Sequence, residues 1–250
     1  MGLQSSGAIS LTQIATEFGG SAPHSLSEYY GVTTGVPTSG TITFSDFYGK
    51  SSVSITGDLL HTLDNPSAYG TTTGDYFGFS VSISGDYAIV GAYGENDADG
   101  NSSGKAYIFN VSTGALLHTL DNPNAYGTSS AGEYFGRPVS ISGDYAIVGA
   151  YGEDDAGGTY SGKAYIFNVS TGALLHTLDN PSAYGTSASD FFGRPVSISG
   201  DYAIVGAYGE DDAGGTSSGK AYIFNVSTGA LLHTLDNPSA YGTSASDNFG

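Results

Sequence analysis

The chain has 250 residues, 39% of them hydrophobic, with 39 Gly, 19 Tyr and only 12% charged residues, a mixture of strand-forming and turn-forming types rather than of helix formers. Six basic residues against 24 acidic ones leave a formal net charge of −18, which excludes a phosphate-backbone partner such as nucleic acid. The absence of cysteine excludes disulfides and thiolate metal sites, and no apolar run approaches the roughly 18 residues of a membrane-spanning helix.

The start, Met1 to Gly7, has neither a basic region nor an apolar one, so no signal peptide is expected and the protein is expected to be assembled in a cytoplasm. Residues 1–50 carry an internal echo, Ser6 to Ile14 against Ser39 to Phe47. In the first copy Ser10 caps a helix whose face holds Leu11, Ile14 and Phe18, and Gly19 and Gly20 stop it. Ser25-Leu-Ser-Glu28 is a capping box ahead of Tyr29 and Tyr30. The expected result is a small irregular module with short helices. Its aromatic residues, Phe18, Tyr29, Tyr30, Phe44, Phe47 and Tyr48, are too many for so short a piece to bury by itself, and they are expected to dock on a partner.

The pattern Gly-x-Ile-Ser-Leu, Glu-Phe-Gly-Gly, Ser-Leu-Ser-Glu-Tyr-Tyr-Gly and Ile-x-Phe-Ser-Asp-Phe-Tyr-Gly over residues 6–50 resembles a short module of tailed-bacteriophage structural and tail-fibre proteins. That resemblance implies a virion component that attaches to other virion proteins through residues 1–50, as an oligomer on the particle.

From residue 51 onward one unit recurs. A Phe-Gly pair stands at Phe77, Phe135, Phe192 and Phe249, so the period is 57 or 58 residues, which is the mark of an array or propeller. Residues 51–66 are a half unit, residues 77–123, 135–181 and 192–238 are full units, and another opens at Phe249, predicting a neighbour that continues it. Each full unit offers four strands. In the first unit they run through Val81 and Ile83, Tyr87 to Ala92, Ala106 to Val111 and Ala115 to Leu120, with Gly-bearing turns of hairpin chemistry at Ser84-Gly-Asp86 and Ser112-Thr-Gly114. The second strand is apolar at nearly every position and is expected to be the most buried. The predicted fold class is all-β, a propeller-like array of four-stranded antiparallel blades.

This array resembles the FG-GAP repeats of integrin-type β-propellers over residues 51–250. Phe-Gly opens each unit, and Gly-Ala-Tyr at 91–93, 149–151 and 206–208 stands where that family has Gly-Ala-Pro. The family's calcium loop, between first and second strands, is cut here to Ser-Gly-Asp, so calcium at that place is not implied.

A different loop holds a calcium-like pattern. Glu95, Asp97 and Asp99 alternate before Gly100, as carboxylates do in a calcium loop, although no acid stands at the twelfth position, Ala106. These three are the candidate calcium ligands; no other cofactor is expected. The alternative is a solvated hairpin loop, with Lys105, Lys163 and Lys220 offsetting charge at its base. His61, His118, His176 and His233 recur in the fourth strand and read as structural histidines. Arg137 and Arg194 are expected to pair with acidic loops. The Asn-Val-Ser sites at Asn110, Asn168 and Asn225 read as turn residues rather than glycosylation sites.

Polar residues repeat blade by blade, so no asymmetric catalytic constellation stands out, and an enzyme is not expected. The copies differ in their loops, and variable loops on a fixed scaffold suit recognition. Tyr69, Tyr126, Tyr160, Tyr184 and Tyr241, among Ser, Gly and Asn, are the candidate ligand-binding residues. The expected function is a virion structural protein of tail-fibre, tail-tip or capsid-decoration type that adheres to a host-surface glycan or protein; the alternatives are a spacer without a ligand and a bacterial integrin-like adhesin.

Overall fold

A computed structural model describes Ile14 and residues 59–67, 74–96, 103–124, 132–154, 159–181, 189–211, 217–238 and 247–250. The chain divides into two compact units, Met1–Leu59 and Leu60–Gly250. In the first, Ile14 is helical and fully buried; the rest of the expected N-terminal module, including Phe18, Tyr29, Tyr30, Phe44, Phe47 and Tyr48, lies outside the described residues.

Among the described residues, the second unit contains three four-stranded antiparallel sheets. The first is β1 (Phe77–Ser84), β2 (Tyr87–Ala92), β3 (Lys105–Asn110) and β4 (Leu116–Asp121). The second is β5 (Val139–Ser142), β6 (Tyr145–Ala150), β7 (Lys163–Asn168) and β8 (Leu174–Asp179), and the third is β9 (Val196–Ser199), β10 (Tyr202–Ala207), β11 (Lys220–Asn225) and β12 (Leu231–Asp236). Strands pair in sequence order within each sheet, as hairpin connections require. β1 runs eight residues, starting at Phe77 itself, longer than the short piece read from Val81 and Ile83.

Turn chemistry fixes the register. After each third strand an asparagine side chain accepts from the backbone three residues on: Asn110 Oδ1 from Thr113 N at 2.9 Å, Asn168 from Thr171 at 2.9 Å and Asn225 from Thr228 at 3.0 Å. These asparagines are turn residues, as expected. The longer connections before, between and after the sheets are clasped by an asparagine to an acid: Asn65 to Asp75 (3.2 Å), Asn122 to Glu133 (2.6 Å), Asn180 to Asp190 (3.0 Å) and Asn237 to Asp247 (3.2 Å).

The two largest clusters of the core lie between neighbouring sheets. Ile89, Ile108 and Leu120 of the first sheet pack against Val139, Ile141, Val148, Tyr165 and Phe167 of the second. Ile147, Ile166 and Leu178 then pack against Ile198, Val205, Tyr222 and Phe224 of the third. A middle sheet covered on both faces needs apolar residues at consecutive positions, which accounts for Ala-Ile-Val-Gly-Ala in β6. β6 is the most buried strand of its sheet, as expected, with the other central strand, β7, close behind it. On the far side of the first sheet Val90, Ala92, Tyr107 and Phe109 are buried with Leu63 and Phe77 against them, while β1 stays uncovered: Val81 and Ile83 are each 65% exposed, whereas their counterparts Val139 and Ile141 are 7% and 5% exposed.

Phe-Gly is the wedge between sheets. Phe135 and Phe192 are fully buried, each edge-on to two aromatic rings of its own sheet's third strand. Their backbones dock on the preceding sheet, Phe135 N donating to Ser103 O at 3.2 Å and Phe192 N to Ser161 O at 3.0 Å. The first strands are tied by serines: Ser80, Ser82 and Ser84 accept from the backbone N–H of Val139, Ile141 and Gly143 at 3.0 to 3.2 Å. Ser140 and Ser142 repeat the tie to Ile198 and Gly200, both at 3.2 Å. Free edge N–H groups are thereby satisfied without β-pairing between sheets.

The histidines are sheet-to-sheet clasps as well. Nε2 of His61, His118 and His176 lies 3.0 to 3.1 Å from the carbonyl oxygens of Ser112, Ser170 and Ser227, so Nε2 carries the proton and donates. The imidazoles cover Gly114, Gly172 and Gly229 so closely that a Cβ at those glycines would stand 2.8 Å from the ring. Replacing His118 by Ala is expected to cost about 1 kcal/mol. The same change at His233, which is exposed, is expected to cost next to nothing, and urea unfolding midpoints of the two variants separate the cases.

Candidate functional site

The residue before each Phe-Gly has a left-handed backbone, with φ of 54° at Tyr76, 59° at Tyr134 and 55° at Phe191. A non-glycine side chain there costs about 1–2 kcal/mol, and the contacts that hold it are aromatic. Tyr76 stacks on Tyr93 at 4.7 Å and 3°, Tyr134 on Tyr151 at 5.1 Å and 18°, and Phe191 on Tyr208 at 5.1 Å and 5°. Tyr93, Tyr151 and Tyr208 are the tyrosines of Gly-Ala-Tyr, at the ends of β2, β6 and β10. The three stacked pairs join edge to face, Tyr93 to Tyr134 at 6.0 Å and Tyr151 to Phe191 at 6.1 Å. One aromatic row thus runs across all three sheets.

The two arginines of the chain sit in that row. Arg137 lies over the rings of Phe79, Tyr93 and Tyr151 at 5.2 to 5.3 Å, and Arg194 over Tyr151 and Tyr208 at 5.0 and 5.3 Å. Arg137 Nη1 donates to the Tyr151 hydroxyl, and Arg194 Nη1 donates to the Tyr208 hydroxyl at 3.1 Å. Among the described residues neither guanidinium meets a carboxylate, and both lie along the aromatic row; most of the acidic-loop residues expected to pair with them lie outside the described residues. The lysines take the acids instead, Lys105 with Asp121, Lys163 with Asp179, and Lys220 with Glu210 at 2.9 Å.

Together these side chains line an open basin of about 550 Å³, whose wall also includes Tyr160 and Ser189. Tyr160 comes from the acidic loop of the second unit. It has a left-handed φ of 56° and its N–H donates to Asp154 Oδ1 at 2.8 Å. Its ring lies 5.9 Å from Phe191. Ser217 is its counterpart in the third unit, so the copies differ here.

Of the other sequence candidates, Glu95 is placed away from its loop. It is buried, and Tyr107 OH donates to its Oε2 at 2.6 Å. Asp97, Asp99, Tyr69, Tyr126, Tyr184 and Tyr241 lie outside the described residues. Glu95 has two equivalents: Tyr165 OH donates to Glu153 at 2.8 and 2.9 Å, and Tyr222 OH to Glu210 at 2.6 Å. Burial pushes the Glu153 carboxyl up to about 7, with the nearby Glu133 charge adding to it and hydrogen bonds from Asn124 and Tyr165 holding it back. Burial and the same carboxylates push the Tyr107 and Tyr165 phenols up. These pairs brace each acidic loop against the third strand and form no part of the basin wall.

The row of tyrosines was not singled out as a site by sequence reasoning. The signal was present in Gly-Ala-Tyr, which puts an aromatic ring where related repeats carry proline, three times over.

Comparison with known proteins agrees with the fold. Residues 67–109, 128–167 and 182–224 match the FG-GAP repeat, just over half of the chain. No curated protein matches. Among solved structures, the computationally designed Ika8 protein is similar at 16% identity and a TM-score of 0.39, over 67% of this chain and 38% of that one. Three registered copies, each opened by a Phe-Gly wedge and built as one antiparallel sheet, identify the chain as a member of the FG-GAP repeat family.

Proposed function

We propose that the protein is a structural component of a bacteriophage virion, of tail-fibre, tail-tip or capsid-decoration type. Residues 1–50 attach it to other virion proteins, and the FG-GAP sheets, arranged as a propeller-like array, hold a glycan-binding basin towards the host surface. The single observation that supports adhesion is the setting of Arg137 and Arg194. In a chain of net charge −18, both arginines are held against aromatic rings and, among the described residues, meet no carboxylate. Aromatic faces with a few fixed polar groups are the ordinary make-up of a small-ligand cleft. No step of chemistry is assigned to the basin.

The test has two parts. Mass spectrometry of purified particles from a phage encoding the chain is expected to find it in the virion; its absence there removes the virion assignment. The full chain on an array of bacterial surface polysaccharides is expected to bind at least one. A particle-bound protein that binds none is a spacer instead.

A further inference from the structure

We infer that the basin takes a carboxylated sugar, an acidic pyranose residue within a surface polysaccharide, with its carboxylate on Arg137 and Arg194 and its C–H faces on the aromatic row. This rests on the adhesion reading and names the ligand class.

Four observations narrow the ligand. First, a guanidinium has five N–H donors in a planar fork that matches a carboxylate. Among the described residues, Arg137 and Arg194 each spend donors on one tyrosine hydroxyl only, at Tyr151 and Tyr208. Second, the guanidiniums are already sandwiched between rings, so little side-chain freedom is lost when an anion arrives. Third, both arginines lean on the same ring, Tyr151, at 5.2 and 5.0 Å. Two positive charges thus gather around one phenol, which makes this part of the wall the place where an anion is drawn. Fourth, the remaining wall is aromatic: Tyr76, Tyr134, Tyr160 and Phe191 surround a space of about 550 Å³, within the range of small-ligand clefts, roughly 300–1,000 Å³.

Charge argues against the competing anions. A polyphosphate or nucleic acid carries dense charge along its length and depends on many cationic contacts. Here the described lysines are tied to Asp121, Asp179 and Glu210, and the surface beyond the basin is acidic. A sugar acid presents one carboxylate per ring beside apolar ring faces, which is the composition of this wall. A neutral sugar offers no charge to either guanidinium and forgoes the stronger charge-assisted hydrogen bonds that a carboxylate makes there.

The test uses the full chain and paired probes: polygalacturonate and hyaluronan, each beside its carboxyl-reduced form, in which the carboxylate becomes a primary alcohol. Titration calorimetry is expected to show binding of at least one acidic polymer and a loss of tenfold or more on carboxyl reduction. Arg194→Gln is expected to remove most of that difference, with an unchanged melting temperature reporting an intact fold. Tyr160→Ser, which copies the residue of the third unit at Ser217, gives a second variant compatible with the fold and is expected to weaken the acidic polymer several-fold. Equal binding of native and reduced polymers overturns the carboxylate assignment and leaves glycan adhesion standing, as does preference for a neutral polysaccharide on the wider array. Binding confined to a phosphodiester polymer such as teichoic acid overturns it too. A chain that binds none of these polymers overturns both this inference and the adhesion reading.

Discussion

Gly162→Ala is expected to loosen the junction between the second and third sheets and to cost about 3 kcal/mol of stability. Gly162 has a φ of +82°, and a Cβ there would stand 2.0 Å from the Phe192 carbonyl oxygen and 2.8 Å from its nitrogen. The obstacle is backbone, so no side-chain rotation relieves it. The left-handed conformation contributes roughly 1–2 kcal/mol and the overpacking roughly 1–3 kcal/mol. Gly143→Ala is the control. Its φ is +54°, but nothing lies within 4 Å of the added carbon, so only the conformational part, about 1 kcal/mol, is lost. Urea unfolding of the two variants separates these contributions. Equal losses would mean that Phe192 does not pack down on Gly162 as described.

That contrast explains which part of the fold was legible beforehand. The Ser-Gly-Asp turns, the strand limits and the four-strand unit are local, and each repeats, so three copies of the sequence report the same pattern. What Phe-Gly touches is not local. Nothing in the sequence around Gly104 and Gly162 shows that the next unit's Phe135 and Phe192 are laid on them. The fourth-strand histidines read correctly as structural, yet their partners, the serine carbonyls of the following turn, are about 50 residues away.

The site was less legible for the same reason. Glu95 begins an alternating acidic run and reads as a metal ligand, but its carboxylate is turned towards a tyrosine hydroxyl twelve residues on. A buried phenol needs an acceptor, and that need is invisible in the loop's own sequence. The arginines were read by the chain's excess of acid, which makes an ion pair the default partner. Their aromatic setting needs Tyr93, Tyr151 and Tyr208 from three different units side by side, and no single repeat contains it. Tyr160 reads as one of five loop tyrosines, and its place in the basin wall goes with a departure from the repeat, since Ser217 stands at the same position of the third unit. The position of Phe79 among Arg137 and Arg194 breaks it too: in the first unit a ring stands where the others place a guanidinium, and it supplies one side of the Arg137 sandwich. Repeated residues thus build the row and its charge, and the unrepeated Phe79 and Tyr160 add a flanking ring at one place and a lip at another.

Glu153→Gln is expected to flatten the dependence of stability on pH between about 5 and 7. In the folded chain burial holds the Glu153 carboxyl at about 7, against 4.5 when it is exposed. The folded state therefore keeps a proton that the unfolded state has released, so stability is fully present below pH 4.5 and falls as pH rises through 7. A difference of this size corresponds to roughly 3 kcal/mol at most. Glutamine is neutral throughout and keeps an oxygen for the Tyr165 hydroxyl, while an amide flip at Asn124 meets its NH₂ group. The variant is expected to match the parent near pH 5 and to melt several degrees higher at pH 8. The same slope in both proteins would show that another group titrates, and that the buried carboxylate between Tyr165 and Asn124 is charged across the range. Because Asn124 precedes the connection into the third unit's neighbour sheet and Tyr165 lies in β7, loss of the proton strains the brace that carries the Tyr160 loop. Acidic conditions should therefore tighten the lip of the basin, and proteolysis of the 154–161 loop at pH 5 and pH 8 reads that directly, with faster cleavage expected at pH 8.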